Sequence, residues 1–277
     1  MGKIQELDPS LINKIAAGEV IESSHSVVKE LVENSLDAGA TKITIETSNG
    51  GLDTILVADN GHGFLPEDLP LSLKRHTTSK IHKFQDLETL TSFGFRGEAL
   101  SSIAGVSKLV IQTGVDESQP STKIHSEQGT ILSQTATQGR KGTLIEVKDL
   151  FFNTPVRRKF LKSDKSEDRK IKERVNTIAL SKPDIEFEFL QNDKKIYNLK
   201  SSSLLERIVQ IFGENIRPHL LEVSLERRDI RSKGYISDSE FYRSNRMGQF
   251  FFINNRPVDI KNSSFLLKKS YDELLPH

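Results

Sequence analysis

The sequence contains no cysteine and no tryptophan, and its net charge is only +1. Without cysteine there are no disulfide bonds, thiolate zinc sites or cysteine nucleophiles, which fits a reducing compartment. The first ten residues lack the apolar core of a signal peptide, and no apolar run approaches the ~20 residues of a membrane-spanning helix. We therefore expect a cytoplasmic protein with no membrane partner, in which any contact with a polyanion depends on local clusters of charge.

Several common catalytic signatures are also absent. No segment has the G-x-x-x-x-G-K-[ST] pattern of a P-loop, and no G-x-G-x-x-G follows an apolar strand. There is no H-E-x-x-H metal motif and no G-x-S-x-G nucleophile turn, and the seven histidines are scattered. These absences argue against P-loop NTPases, Rossmann dinucleotide-binding domains, zinc proteases of that type and α/β hydrolases.

The order of the predicted elements favours an α+β fold. Helical patterns and antiparallel hairpin patterns are mixed along the 277 residues, which favours layers of helix and sheet over a doubly wound parallel sheet. The length favours two domains, and Ser201–Ser203 is the best candidate for a linker. We expect a first domain over residues 1–200 and a smaller one over 201–277. The pattern also predicts one basic helix from Val156 to about Leu180.

The helix predicted over residues 26–38 carries three polar residues on one face. Glu30, Asn34 and Asp37 are spaced i, i+4 and i+7, beside a broad apolar face. The same spacing is typical of an ordinary amphipathic helix with a solvated polar side. The functional interpretation makes Glu30 a general base and Asn34 an oxygen ligand of Mg²⁺, because this hard cation prefers oxygen ligands and keeps several waters.

A second motif is an apolar strand that runs into Asp59 and a loop with two glycines. A carboxylate at a strand end can accept a hydrogen bond from an exocyclic amine such as that of adenine. Gly61 and Gly63 allow the backbone to approach a flat ring closely. Thr143, at the start of a later predicted strand, is positioned to bring its hydroxyl beside Asp59. Asp-Asn-Gly is also common turn chemistry, so both interpretations stay open.

Residues 75–107 form a long segment rich in Thr, Ser and Gly, and long segments of this kind are often lids. Within it Gly94 and Gly97 flank Phe95 and Arg96, and a helical pattern begins at Gly97. Free N–H groups at a helix start can bind anions, and Arg96 can pair with a phosphate or a carboxylate. A glycine-rich loop without further support is more often only a loop.

Basic residues are concentrated in residues 157–174. This stretch has nine Lys and Arg against four Asp and Glu, a local charge of +5 in a chain of net charge +1. Such a cluster suits a phosphodiester backbone, although a solvated helix face explains the pattern equally well.

Taken together, the motifs resemble those of the MutL family of the GHKL ATPases, both in their residues and in their order along the chain. The resemblance extends from about Ile4 to at least Arg256. Sensor kinases and topoisomerase subunits are the alternative GHKL members, but no phosphoacceptor histidine box precedes the motifs, and NTPVRRKFL argues against a topoisomerase. The motifs are LINKIAAGEVIE, KELVENSLDAGA, DNGHGF, TTSK, GFRGEALSSI, GTLIEV and LFFNTPVRRKFL.

The resemblance implies the Bergerat ATP-binding fold of the GHKL proteins, a layered α/β sandwich with a mixed sheet, followed by a smaller transducer-like domain. It implies that Glu30 activates the attacking water, that Asn34 ligates Mg²⁺ and that Asp59 binds the adenine amine of ATP. Residues from about Thr78 to Leu100 are expected to form an ATP lid whose backbone amides hold the terminal phosphate. The nucleotide-binding residues implied are Asn34, Asp59, Gly63, Thr78, Gly94, Arg96, Gly97, Glu98, Ala99, Leu100 and Thr143.

The resemblance also implies slow ATP hydrolysis that drives conformational change in DNA mismatch repair. The implied partners are the DNA backbone, bound without sequence preference, a MutS-type mismatch sensor, a downstream endonuclease or helicase, and a second copy of the chain once ATP is bound. The implied location is the cytoplasm, in association with the nucleoid. Arg157, Arg158 and Lys159 are candidate DNA contacts. Arg256 is another, although Asn255 replaces the glycine of the family's Asn-Gly-Arg element.

The chain ends at His277, ahead of the second-domain lysine that reaches the terminal phosphate in the family. We therefore expect a fragment with a second domain cut short at its C-terminus and with impaired hydrolysis. One alternative of a different class stays open: a nucleotide-gated scaffold that binds DNA and partners with negligible hydrolysis.

Overall fold

The computed structural model describes residues 21–81, 83–87, 92–243, 245–271 and 274. The opening motif LINKIAAGEVIE lies outside the described residues except for its last two, Ile21 and Glu22. Parts of the expected lid, residues 82 and 88–91, also lie outside them. None of the described helices is long and apolar enough to cross a membrane.

The chain divides into two compact units. The first contains the residues up to 175 together with 187–198, and the second contains 176–186 together with the residues from 199 onward. The polypeptide therefore passes from one unit to the other three times. The domain division expected at residue 200 stays a prediction.

An eight-stranded sheet forms the centre of the first unit. Its strands are β1 Lys42–Ser48, β2 Thr54–Asp59, β3 Lys108–Gly114, β4 Ser121–Glu127, β5 Thr130–Thr137, β6 Gly142–Lys148, β7 Glu186–Gln191 and β8 Lys194–Leu199. They lie in the order β5-β4-β3-β6-β2-β1-β7-β8.

The sheet is mixed, as expected. The five neighbouring pairs from β5 to β1 run antiparallel. At the β1–β7 boundary the carboxyl ends of the two strands instead lie together. The N–H of Asn192, directly after β7, donates to the carbonyl of Thr47 near the end of β1 at 2.8 Å. This contact is that of parallel neighbours, and it accounts for the change of direction within the sheet.

Helices accompany this sheet, and two of them contact it: α1 at β2, and α3 at β3 and β4. The helices are α1 Ser24–Asp37, α2 Asp68–Leu71, α3 Ala99–Gly105, α4 Pro155–Phe160 and α5 Asp164–Ser181. Burial alternates along β1, with Ile43 and Ile45 inside, and each such side chain stabilises the fold by about 1.5–3 kcal/mol. At Gly51 the layers meet: a Cβ there would lie 2.8 Å from Ser24 Cβ in α1 and 3.2 Å from Ile171 Cδ1 in α5. The predicted α/β sandwich is confirmed.

The basic segment predicted as one helix forms two. Helix α4 ends at Phe160, and Leu161 has extended backbone with φ −67° and ψ 147°. The carbonyl of Ser163, directly before α5, accepts the N–H groups of Ser166 and Glu167 at 2.7 and 3.0 Å. Serine is favoured at the residue that precedes a helix, so a new helix begins there. The prediction of one continuous helix is wrong at this point.

The second unit is built from shorter elements. They are α6 Leu204–Phe212, β9 Leu220–Arg227, β10 Ile230–Ser237, β11 Phe252–Ile253, β12 Arg256–Pro257 and α7 Ser263–Tyr271. Strands β9 and β10 form an antiparallel hairpin. Ser203 caps α6, because its Oγ accepts the N–H of Glu206 at 3.3 Å.

The fully buried side chain of Arg207 organises the start of the second unit. Its guanidinium donates to five backbone carbonyls, at distances from 2.7 to 3.4 Å. Burial lowers the pKa of Arg207 to about 10, which still leaves the group charged at neutral pH. The cation therefore gives all five carbonyls a charged donor, although those of Lys182 and Pro183 also accept the N–H groups of Ile185 and Ser202. The acceptors are Ala179, Lys182, Pro183, Ile185 and Lys200.

Candidate functional site

The polar face of α1 forms the base of the candidate site. The Glu30 side chain is 25% exposed, and its Oε1 accepts a 2.8 Å hydrogen bond from Lys29 Nζ. The same ammonium donates at 2.8 Å to Glu33, one turn from Lys29. Burial raises the pKa of Glu33. Burial acts to lower the pKa of Lys29, but its bonds to the two carboxylates outweigh this and raise it. Glu30 therefore lies beside a firmly charged cation.

Asp37, at the end of α1, holds two separate parts of the predicted lid. Its Oδ1 accepts the N–H of Phe93 at 2.8 Å, and its Oδ2 accepts the N–H of Gly94 at 3.2 Å. Oδ2 also accepts a 2.5 Å hydrogen bond from Lys80 Nζ. The same ammonium donates to Asn34 Oδ1 at 3.2 Å. The structure thus brings Asn34 and the glycine-rich segment together around Asp37 and Lys80.

Asp59 ends β2 with its carboxylate held by three donors. Oδ2 accepts the hydroxyl of Ser35 at 2.8 Å, and Oδ1 accepts the N–H of Gly61 at 2.9 Å and that of Thr143 at 3.2 Å. The residue is only 9% exposed. Thr143 therefore lies beside Asp59 as expected, but it contributes its backbone N–H. Its hydroxyl instead pairs with Thr113 Oγ1 at 2.9 Å.

The two glycines of the Asp59 loop are explained by contacts within the protein. At Gly63, where φ is 70°, a Cβ would lie 2.3 Å from the carbonyl oxygen of Gly114. At Gly61 a Cβ would lie 2.7 Å from the carbonyl oxygen of Ala38. Both distances exclude any side chain. The approach of a flat ring to this loop is therefore an additional hypothesis, and the packing of the loop does not depend on it.

Gly97 joins the glycine-rich segment to the region before it. Its φ is 63°, and a Cβ would lie 2.4 Å from the carbonyl oxygen of Thr77. The N–H of His76 donates to the Gly97 carbonyl at 3.1 Å. Helix α3 begins two residues later, at Ala99, with Glu98 preceding it. The backbone of Gly97, directly before Glu98 and α3, is thus held by residues 76–77.

Other predicted residues have looser surroundings. The Oγ1 of Thr78 accepts the N–H of Lys80 at 3.2 Å. Arg96 is exposed, and its guanidinium lies 5.7 Å from the centre of the Phe95 ring. Ala99 and Leu100, in the first turn of α3, are half-buried. The predicted phosphate contacts of these residues stay predictions.

The basic residues of α4 differ among themselves. Arg157 donates to the carbonyl of Ile21 at 2.7 Å, and its guanidinium lies 5.7 Å from the Phe151 ring centre. Arg158 and Lys159 are exposed. The guanidinium of Arg157 is therefore already bound within the protein, and a DNA contact would have to compete with these interactions. Arg158 and Lys159 instead present their charge to solvent.

Arg256 follows the tight turn that joins β11 to β12. The two turn residues, Asn254 and Asn255, have φ of 50° and 63°. A two-residue hairpin turn of this type requires positive φ at both positions, and asparagine adopts it more readily than most side chains. Asn255 therefore occupies the conformation that a glycine would have there.

The structure adds three residues that the sequence patterns did not identify. Ser35 connects α1 to Asp59, Lys80 connects Asn34 to Asp37, and Arg140 donates to the Asp59 carbonyl at 3.3 Å. Ser35 and Lys80 lie inside the motifs KELVENSLDAGA and TTSK. Their partners are distant in sequence, so nothing in the local pattern distinguishes them from solvated side chains.

Comparison with protein families gives two matches. Residues 21–149 match the family described as "Histidine kinase-, DNA gyrase B-, and HSP90-like ATPase". Residues 208–277 match the family described as "DNA mismatch repair protein, C-terminal domain".

Among curated proteins, the chain is 54% identical over 276 residues to the DNA mismatch repair protein MutL of Leptospira biflexa, covering 100% of this chain and 45% of that protein. It is 48% identical to the MutL protein of Thermosipho africanus, covering 99% of this chain and 47% of that protein. The chain thus spans about half the length of these relatives. Among solved structures, it is similar to the Aquifex aeolicus MutL ATPase domain complexed with ADP, with 36% identity and a TM-score of 0.71, covering 90% of this chain and 88% of that one.

Proposed function

The chain belongs to the MutL family of DNA mismatch-repair proteins and contains its GHKL ATPase domain, and from this we propose that it binds ATP with Mg²⁺ at the α1 site and hydrolyses it slowly. The single observation that carries the proposal is the arrangement around α1. Within one turn of this helix, Ser35 bonds to Asp59, Asn34 bonds to Lys80, and Asp37 bonds to Lys80 and the glycine-rich segment.

Asp59 is proposed to bind the adenine amine. Its carboxylate has about four lone-pair positions, and three are taken by Ser35, Gly61 and Thr143. One acceptor position remains for an exocyclic amine. The three donors also fix the carboxylate in one orientation, which favours recognition of a single ring edge over general attraction of a cation.

Mg²⁺ fits the donor set at the other end of the site. Asn34 offers an amide oxygen, and the missing side chain of Gly94 leaves room beside it, because a Cβ there would stand 3.9 Å from Asn34 Oδ1. Within the described residues, no three His, Cys, Asp or Glu side chains gather as a metal site. Asn34 would hold an ion whose other ligands are water and substrate phosphates, and such an ion neutralises phosphate charge when bound.

Glu30 is proposed as the general base. It lies one helical turn from Asn34 on the same face of α1, and its carboxylate is partly exposed, so a water can reach it. The bond from Lys29 must loosen when Glu30 accepts a proton, because protonation removes the negative charge that Lys29 pairs with. The terminal phosphate is proposed to be held by the backbone N–H groups of residues 96–100.

Calorimetric titration with Mg²⁺ and a non-hydrolysable ATP analogue tests this proposal. We expect binding that requires Mg²⁺ and weakens about 10-fold or more in Asp59→Asn, because an amide cannot supply the same acceptor at both positions. Asp53→Asn is the matched control: it makes the same change at an exposed residue before the other end of β2. Equal affinities in the two variants would remove Asp59 from the adenine pocket.

We further propose that ATP-dependent dimerisation and non-specific contact with the DNA backbone follow from nucleotide binding, in concert with a MutS-type sensor and a downstream endonuclease or helicase. The exposed charges of Arg158 and Lys159 support the DNA contact. Their joint replacement by alanine should reduce the slope of log affinity against log salt by about 2. Alanine at exposed Lys42 and Lys194 is the matched control. An unchanged slope in the first variant would exclude these two residues from the DNA contact.

A further inference from the structure

Arg140 lies in the loop between β5 and β6, and its side chain reaches back to the end of β2. One guanidinium nitrogen donates to the carbonyl oxygen of Asp59 at 3.3 Å. Gly142, two residues later, packs against the same oxygen, since a Cβ there would lie 2.1 Å from it. The loop therefore meets the backbone of the residue that is proposed to bind the adenine amine.

The backbone of this loop is held by β3, β4 and the turn between them. The N–H of Arg140 donates to Ser121 Oγ at 2.8 Å. A Cβ on Gly139 would lie 2.2 Å from the carbonyl oxygen of Glu117. A Cβ on Gly114 would lie 2.6 Å from the carbonyl oxygen of Arg140 itself. Both distances exclude a side chain, so close packing fixes the point from which the guanidinium extends.

The guanidinium of Arg140 has little hydrogen bonding for a half-buried cation. Its Nε is buried and has no hydrogen-bond partner among the residues that the structure describes. The bond to the Asp59 carbonyl, at 3.3 Å, is long for an N–H···O contact. Burial lowers the pKa of Arg140, and the negative charge of Asp59 acts in the opposite direction. Because burial of a charge is costly without a partner, the attraction of Asp59 is what favours a cation here.

This attraction acts on a carboxylate that three neutral donors already orient. The hydroxyl of Ser35 donates to Oδ2 of Asp59, and the N–H groups of Gly61 and Thr143 donate to Oδ1. None of these donors carries a charge, so the positive charge beside the carboxylate comes from Arg140. The Arg140 bond goes to the backbone carbonyl, and it therefore leaves the remaining lone-pair position of the carboxylate open to a ligand.

We propose that Arg140 is a positioning residue that holds Asp59 for the nucleobase, and that it thereby sets the preference of the site for an amine over an oxygen at C6 of a purine. The inference rests on the proposed function and specifies which nucleotides the site accepts. An amine at C6 donates to the fixed carboxylate, whereas an oxygen there places two acceptors against each other. A carboxylate that can turn away discriminates less between the two.

The test measures, by calorimetry in the presence of Mg²⁺, the affinities for ADP and for inosine diphosphate, which carry an amine and an oxygen at C6. In Arg140→Gln we expect the affinity for ADP to fall about threefold to tenfold and that for inosine diphosphate to change little. The ratio of the two affinities then falls by the same factor. Lys141→Gln is the matched control, because it removes one positive charge from the exposed neighbouring residue.

A double-mutant cycle tests whether Arg140 acts through Asp59. Addition of Arg140→Gln to Asp59→Asn should lower the affinity for ADP by less than about twofold, because the carboxylate on which Arg140 acts is already gone. Arg140→Lys should give a ratio between those of the wild type and Arg140→Gln, since it keeps the charge and loses the planar fork. Thermal unfolding shows which variants are folded at the temperature of the titration.

The outcomes separate this inference from the function on which it rests. A ratio in Arg140→Gln equal to that in Lys141→Gln, in proteins that bind ADP, overturns the positioning role and leaves the ATP site intact. A full additional loss in the Asp59→Asn background overturns the action through Asp59. If Arg140→Gln is unfolded, Arg140→Lys decides, and a ratio equal to that of the wild type counts against the proposal. A wild-type chain that binds neither nucleotide removes the proposed function and this inference together.

Discussion

Two enclosed cations, one in each unit, are held in different ways. Arg207, in the second unit, is fully buried and donates to five backbone carbonyls. Lys80, in the first unit, is partly exposed and bonds to two side chains, those of Asn34 and Asp37. Carbonyls of the backbone cannot turn away without unfolding of their segment, whereas side chains can change rotamer. The first arrangement is therefore fixed by the backbone, whereas the second depends on side chains that can rearrange.

The comparison predicts that substitutions around Arg207 change stability, and that substitutions around α1 change function. Both groups are polar and enclosed, and the fully buried Arg207 and the partly exposed Lys80 differ in burial only by degree. What distinguishes them is whether the partner oxygens belong to the backbone or to side chains that a ligand can also use.

The largest expected effect is on turnover. Glu30→Gln should lower the ATP hydrolysis rate by about 10²–10⁴-fold with nucleotide affinity retained, because one positioned base contributes that much and its removal leaves the binding contacts in place. Steady-state turnover and calorimetry measure the two quantities. Glu22→Gln, at an exposed glutamate before α1, is the control. Parallel loss of affinity and turnover would contradict the assignment of Glu30. Dimerisation on ATP with negligible turnover in the wild type would favour the scaffold alternative.

The second effect is on stability. Arg207→Met should lower the free energy of unfolding of the second unit by about 3–5 kcal/mol, because five carbonyls lose a charged donor. Denaturant unfolding measures it, with Arg227→Met as the control, since Arg227 is exposed at the end of β9. A loss no larger than in the control would contradict the fixed character of this cation site.

A third substitution, Gly142→Ala, is expected to change both stability and nucleotide binding. Gly142 has φ 90°, and a Cβ would lie 2.1 Å from the carbonyl oxygen of Asp59. Gly142→Ala should therefore cost about 1–3 kcal/mol of stability and also weaken nucleotide binding by displacing Asp59. Gly234→Ala is the control, because nothing lies within 4 Å of a Cβ there. Unfolding and calorimetric titration of both variants check the two effects. Unchanged nucleotide affinity in Gly142→Ala would show that nucleotide binding tolerates the displacement of Asp59.

The smallest effect is on pH dependence. His25 lies 3.7 Å from Glu167, next to Ser23 and near Lys170 and Arg174. Burial, the dominant cause, lowers the pKa of His25 below its ordinary value of 6.5, so the unfolded state binds a proton more readily than the folded state. Stability should therefore fall as the pH drops below about 6.5 and through the lowered pKa. Denaturant unfolding at pH 7 and pH 5 should show a smaller difference in His25→Gln than in the wild type.

The opposite result in that measurement, a larger pH 7 to pH 5 difference in His25→Gln, would show that the carboxylate of Glu167 outweighs burial at this position. His62→Gln, at an exposed histidine of the Asp59 loop, is the control for loss of an imidazole.

The fold and part of the site could be predicted from the sequence, whereas several individual contacts could not. Helical spacing placed Glu30, Asn34 and Asp37 on one face, and strand ends placed Asp59 near Thr143, because these relations follow from local geometry. The break at Leu161 and the backbone role of Thr143 depend on individual dihedral angles and could not be predicted from periodicity. Lys80 lies 43 residues from Asp37, so their bond depends on the path of the chain through β1, β2 and α2.

The positions of the Arg207 acceptors in the sequence also limit where the chain can be separated into independent parts. All five carbonyls belong to residues that precede Ser201, although Arg207 itself follows it. A polypeptide started at Ser201 would carry the guanidinium with none of these oxygens. Residues 176–186 of the second unit are encoded between two parts of the first unit. A single crossover therefore cannot exchange either unit as a whole. Because the acceptors are backbone carbonyls, a chimaera keeps this arrangement only if residues 179–185 and residue 200 keep their backbone path beside Arg207.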